Sequence, residues 1–78
     1  MDRKLDLAEQ LFAEAFKPGR APRSEAYKRG IRAVLSLKAG SGGQPHAYAP
    51  GTAEFDAWGA GCDEGHAIWQ NHINKEHA

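Results

Sequence analysis

A helical apolar repeat broken by glycine sets the strongest limit on the fold. Phe55, Trp58, Cys62, Gly65, Trp69 and His72 are separated by steps of three and four, the spacing of one face of an α-helix. Glycines at 61 and 65 fall inside this repeat. Each costs roughly 1 kcal/mol relative to alanine in a helix interior. A helix that keeps two such residues needs what a missing Cβ provides, the close approach of another backbone. Ala57, Gly61 and Gly65 lie four apart along one edge of this helix, and Gly30 and Ala33 offer a small-residue surface upstream. Two helices that meet through such surfaces approach more closely than the usual 8–10 Å. The expectation is a tight antiparallel helix–loop–helix hairpin, with Trp58 and Trp69 building its core.

Local signals place three helices and predict an all-α fold. Leu5, Ala8, Leu11, Phe12, Ala15 and Phe16 make an amphipathic N-terminal helix over residues 1–16, with Asp2 as its cap and Lys17-Pro18-Gly19 as its stop. Ser24 is the N-cap of a second helix at 25–38, whose apolar face is Tyr27, Ile31, Val34 and Leu35. Residues 40–51 hold four glycines and two prolines and form a loop, with Tyr48 and the prolines packing back on the helices. Thr52 caps a third helix at 53–75, with Glu54 and Asp56 at the positive end of its dipole. The whole is one small domain over residues 1–78, an N-terminal helix at 1–16 followed by a helical pair at 24–75.

With 78 residues, only about 60% of the unfolded surface can be buried. One cysteine excludes an internal disulfide framework and favours a reducing compartment. No apolar run is long enough to span a membrane and no signal peptide is present. The chain therefore reads as a complete small cytoplasmic protein without a membrane partner. Net charge is zero but segregated, −2 over residues 1–16, +6 over 17–38 and −4 over 39–78. Arg20, Arg23, Lys28, Arg29 and Arg32 form a candidate nucleic-acid strip beside Tyr27. The competing reading is that acidic helices fold against this segment and neutralise it. Leu5, Leu11, Phe12 and Phe16 are a candidate protein interface, including a homodimer seam, or else plain core.

Chemistry-bearing sets are sparse. Cys62 and His66 are four apart with Asp63 within reach, fewer donors than a structural zinc site needs. His46, His66, His72 and His77 do not make an H-E-x-x-H pair. Gly40–Gly43 lacks the Gly-Lys-Ser/Thr ending of a P-loop. No nucleophile, base and orienting group fall into one pattern. The expectation is a non-enzymatic protein with no metal or cofactor.

Arg29-Gly30 in the second helix, the loop residues Pro45, Tyr48 and Pro50-Gly51, and Trp58-x-x-Gly61-x-x-x-Gly65 together resemble the ribosome modulation factor family. That family includes a small plasmid-borne ciprofloxacin-resistance protein and many short phage and prophage proteins. The resemblance covers about residues 26–70. It makes Gly30, Tyr48, Gly51, Trp58, Gly61, Gly65 and Trp69 the structural motif and implies two helices joined by an ordered loop. It also implies a partner in the ribosome, since the factor itself binds the small subunit and promotes inactive ribosome dimers. The chain departs from the pattern at Val34, at the split Pro45-His46-Ala47-Tyr48, at Cys62 and in its acidic residues 1–16. Three functions follow in order of expectation. The first is a regulator bound to the ribosome. The second is a phage or prophage inhibitor of a host protein. The third is an ATP-dependent antibiotic-modifying enzyme like the resistance relative.

Overall fold

Ser24 and Thr52 each start a helix by the same device. Ser24 is extended (φ −66°, ψ 161°) and its Oγ accepts the Tyr27 N–H at 3.2 Å. Thr52 Oγ1 accepts the Phe55 N–H at 3.1 Å while donating to the Ala49 carbonyl at 2.7 Å. Both satisfy a backbone donor that the first helical turn leaves free. The computed structural model describes the backbone of residues 3–16, 23–40, 42 and 48–76, and the side chains of 7–16, 23–40, 42 and 48–75. Its helices are α1 (Arg3–Ala15), α2 (Glu25–Ala39) and α3 (Ala53–Glu76). The fold is all-α, as expected, with boundaries within a residue or so of those read from the sequence. Gly40 ends α2 in the left-handed region (φ 90°), its N–H reaching the Leu37 and Ser36 carbonyls, and Gly51 turns the chain into α3 at φ 87°. The expected Asp2 cap and the Lys17-Pro18-Gly19 stop lie outside the described residues.

α2 and α3 touch backbone to backbone. A Cβ placed on Gly30 would land on the Trp58 carbonyl oxygen, 2.8 Å from the Cys62 nitrogen and 3.1 Å from the Gly61 carbonyl carbon. One placed on Gly61 would land on the Tyr27 carbonyl. Gly65 is seated against Val34 and Ile31, with its absent Cβ 2.9 Å from Val34 Cβ. Gly59, two residues from Gly61, has nothing within 4 Å. The glycine-mediated approach is thus the property of Gly30, Gly61 and Gly65.

The direction of this pair differs from the expected antiparallel hairpin. Tyr27 meets Gly61, whereas Ile31 and Val34, further along α2, meet Gly65, further along α3. The first turns of both helices, Ser24–Arg29 and Ala53–Ala57, line one hollow. The two helices therefore run in the same general sense. Chain length permits it. Residues 40–52 can reach about 43 Å when extended, and α2, with 15 residues, is only about 22 Å long. Contact geometry rather than loop length thus chooses the direction.

The core is built between α1 and α2. Ile31 and Leu35 are fully buried, joined by Ala8, Leu11 and Phe12, with Leu7, Phe16, Tyr27, Ile68 and Trp69 packed around them. Burying a side chain of the size of Leu or Phe contributes about 1.5–3 kcal/mol. Trp69 joins this core, as expected. Trp58 does not; it is half-buried beside Phe55, ring centroids 6.2 Å apart. The site expected for a second tryptophan is filled from α1 instead. Among the described residues no helix is long and apolar enough to cross a membrane.

Candidate nucleic-acid interface

Helical spacing divides the basic strip. Lys28 and Arg32 are i, i+4 neighbours on one face of α2, and Arg29 lies about 100° round the axis. Arg23 is exposed at the entry to α2, its guanidinium carbon 4.8 Å from the centre of the Tyr27 ring. This is cation–π range, and it keeps a cation and an aromatic face side by side. Lys28 Nζ lies 3.5 Å from Glu25 Oε1, a pair whose side chains are 33% and 75% exposed. A pair so open to water contributes about 0–1 kcal/mol. Arg29 is exposed on the rim of the hollow of about 510 Å³ that also includes Tyr48, Glu54 and Ala57.

Arg32 points elsewhere. Its guanidinium carbon sits 4.1 Å above the Phe12 ring, and its Nε is 3.6 Å from Glu9 Oε1. It belongs to the α1–α2 seam rather than to an open strip. The acidic arm thus folds against the basic helix at this one position, while Arg23 and Arg29 hold no carboxylate partner among the described residues. Arg20 lies outside the described residues. Glu9 and Phe12 are the partners that spacing could not reveal, because they are more than fifteen positions from Arg32 in the chain. Charge segregation was the one signal that pointed to them.

The residues considered for a protein interface are placed as follows. Leu11 and Phe12 are buried in the intramolecular core. Phe16 is half-buried and stacked on Phe12, centroids 4.8 Å apart and planes at 28°. The side chain of Leu5 lies outside the described set. The apolar face of α1 is therefore used inside the chain at Leu11 and Phe12. Beyond it, a hollow of about 440 Å³ separates the end of α1 from the last turns of α3, between Leu11, Glu14 and Ile68, His72. The large apolar side chain left open is Leu37, 59% exposed at the end of α2.

No family model, curated protein or solved structure matches this chain. Function must therefore be argued from its own residues. Cys62 is half-buried, and burial, then the neighbouring Asp63 carboxylate, pushes its thiol above the ordinary value. A thiol held neutral is a poor nucleophile and a poor metal ligand. His66, one turn on, is exposed. Among the described residues no three His, Cys, Asp or Glu side chains are grouped so as to hold a metal ion. The motif residues Gly30, Gly61 and Gly65 are buried in helix contacts, while Gly51 and Tyr48 shape the approach to α3. Their placement is architectural, and it leaves the outer face of α2 as the surface with ligand-binding chemistry.

Proposed function

We propose that this protein is a small non-enzymatic regulator that binds a ribonucleoprotein, with the ribosome as its target and the outer face of α2 as its contact. The observation that carries this reading is the pair of open cations, Arg23 and Arg29, with the Tyr27 ring beside the first. Cations that have no internal carboxylate keep their full attraction for phosphate, and an adjacent aromatic face suits an unstacked base. The resemblance of Arg29-Gly30, Tyr48 and Trp58-x-x-Gly61-x-x-x-Gly65 to ribosome modulation factor supports the same target. Chain neutrality limits the long-range attraction, so the contact is local and salt-sensitive.

Co-sedimentation with purified small ribosomal subunits tests this. Binding should weaken as salt rises and be lost in Arg23→Glu/Arg29→Glu. No co-sedimentation of the wild-type protein at low salt would remove the ribosomal reading. The exposed Leu37 supports a second reading, an inhibitor of phage or prophage type that binds a host protein. A complex recovered from lysate that survives nuclease and is lost in Leu37→Asp favours that version.

A further inference from the structure

We propose that α1 is an intramolecular competitor for the basic face of α2, holding Arg32 until an RNA phosphate displaces Glu9. This rests on the RNA-contact reading above and adds a control element to it. α1 is the acidic segment of the chain, and Glu9 faces α2 at the one arginine of that helix turned toward α1. Phe12, buried beneath the guanidinium at 4.1 Å, fixes where that cation sits. Its orientation is therefore already set before any ligand arrives, which lowers the ordering cost of a new contact.

The hold is weak in a particular way. At 3.6 Å, Arg32 Nε to Glu9 Oε1 is too long for a hydrogen bond. The Nε atom itself is buried without a hydrogen-bond partner. The two side chains remain 40% and 50% exposed, so water screens their attraction. A phosphate oxygen that makes direct charge-assisted hydrogen bonds to the guanidinium is the better partner. Lys28 lies one turn away on the same face and is likewise held by a carboxylate, Glu25. The described cations of α2 and its cap thus form two sets. Arg23 and Arg29 are open for first contact, and Lys28 and Arg32 are engaged internally and released by exchange.

Fluorescence anisotropy with a labelled single-stranded RNA of mixed sequence tests this, using wild type, Glu9→Gln, Glu14→Gln, Arg32→Gln and Glu9→Gln/Arg32→Gln. Glu9→Gln should tighten binding by about threefold, the weight of one exposed ion pair. Its salt dependence should steepen by about 0.7 in log–log slope, one added phosphate contact. Glu14→Gln removes the same charge from the same helix away from Arg32 and should do less, with no change in slope. The gain should vanish when Arg32 is already glutamine. Binding by wild type with no difference between Glu9→Gln and Glu14→Gln, or weaker binding by Glu9→Gln with helicity intact, overturns the competitor and leaves the RNA reading standing. Absence of binding by both wild type and Glu9→Gln at low salt overturns both.

Discussion

Replacing Gly30 by alanine separates helix propensity from helix contact. In an isolated helix the change stabilises by about 0.8–1 kcal/mol. In this fold the added methyl meets backbone on every near side, the Trp58 carbonyl oxygen, the Cys62 nitrogen at 2.8 Å and the Gly61 carbonyl carbon at 3.1 Å. None of these atoms can rotate away, as a flexible side-chain tip would. Relief requires α3 to move off α2, which also loosens Gly65 from Ile31 and Val34. Overpacking of this kind costs about 1–3 kcal/mol and occasionally more, here set against the propensity gain. A net loss of about 2 kcal/mol is expected. A chain of this size has roughly 4–12 kcal/mol in total, so the effect is large. Urea unfolding followed by far-ultraviolet circular dichroism should show a lower midpoint at unchanged slope. Gly61→Ala should behave alike, since its methyl meets the Tyr27 carbonyl group. The two together should cost less than their sum, because the first substitution already separates the helices. A Gly30→Ala protein as stable as wild type, or more so, would refute backbone contact between α2 and α3 and the assignment of the glycines to packing.

Gly59→Ala should have the opposite sign, a gain of about 0.5–1 kcal/mol in the same urea experiment, because its Cβ meets nothing within 4 Å and its φ is not positive. Phe12→Ala should cost about 3–5 kcal/mol, the usual range for a buried phenylalanine, and unfolding at normal temperature in Phe12→Asp would follow from the same burial; an unchanged melting curve in Phe12→Ala would move Phe12 from core to surface. The Cys62 thiol should be alkylated by iodoacetamide more slowly than in the urea-unfolded chain near pH 8, since burial and then Asp63 raise its pKa and the thiolate is the reactive form. The associated stability is fully present below the unfolded thiol pKa and is lost as pH rises through the higher folded value. Asp63→Asn should speed alkylation only partly, because burial is the larger cause; alkylation of wild type as fast as in the unfolded chain would contradict the raised pKa.

The helices themselves were legible in the sequence because their determinants are local. Ser24, Gly40 and Thr52 act on groups three or four residues away, and apolar spacing reports each buried face directly. The glycines were legible as a class, since a helix interior that tolerates them signals close approach. Which of them are in contact was not. Gly59 and Gly61 are alike in sequence, and only the rotation of α3 against α2 places Gly61 on Tyr27 and Gly59 in the open.

The arrangement of those helices depended on contacts far apart in the chain. The length of residues 40–52 allows either direction for α3, and backbone docking at Gly30, Gly61 and Gly65 selects the same general sense as α2. In the same way, local spacing could mark Leu11 and Phe12 as apolar but could not say that they complete the core around Ile31 and Leu35. Nor could it separate Arg32, turned onto Phe12 and Glu9, from Arg23 and Arg29, which face solvent. Spacing along one helix determines which side chains share a face. What covers that face is decided by elements that arrive from elsewhere in the chain.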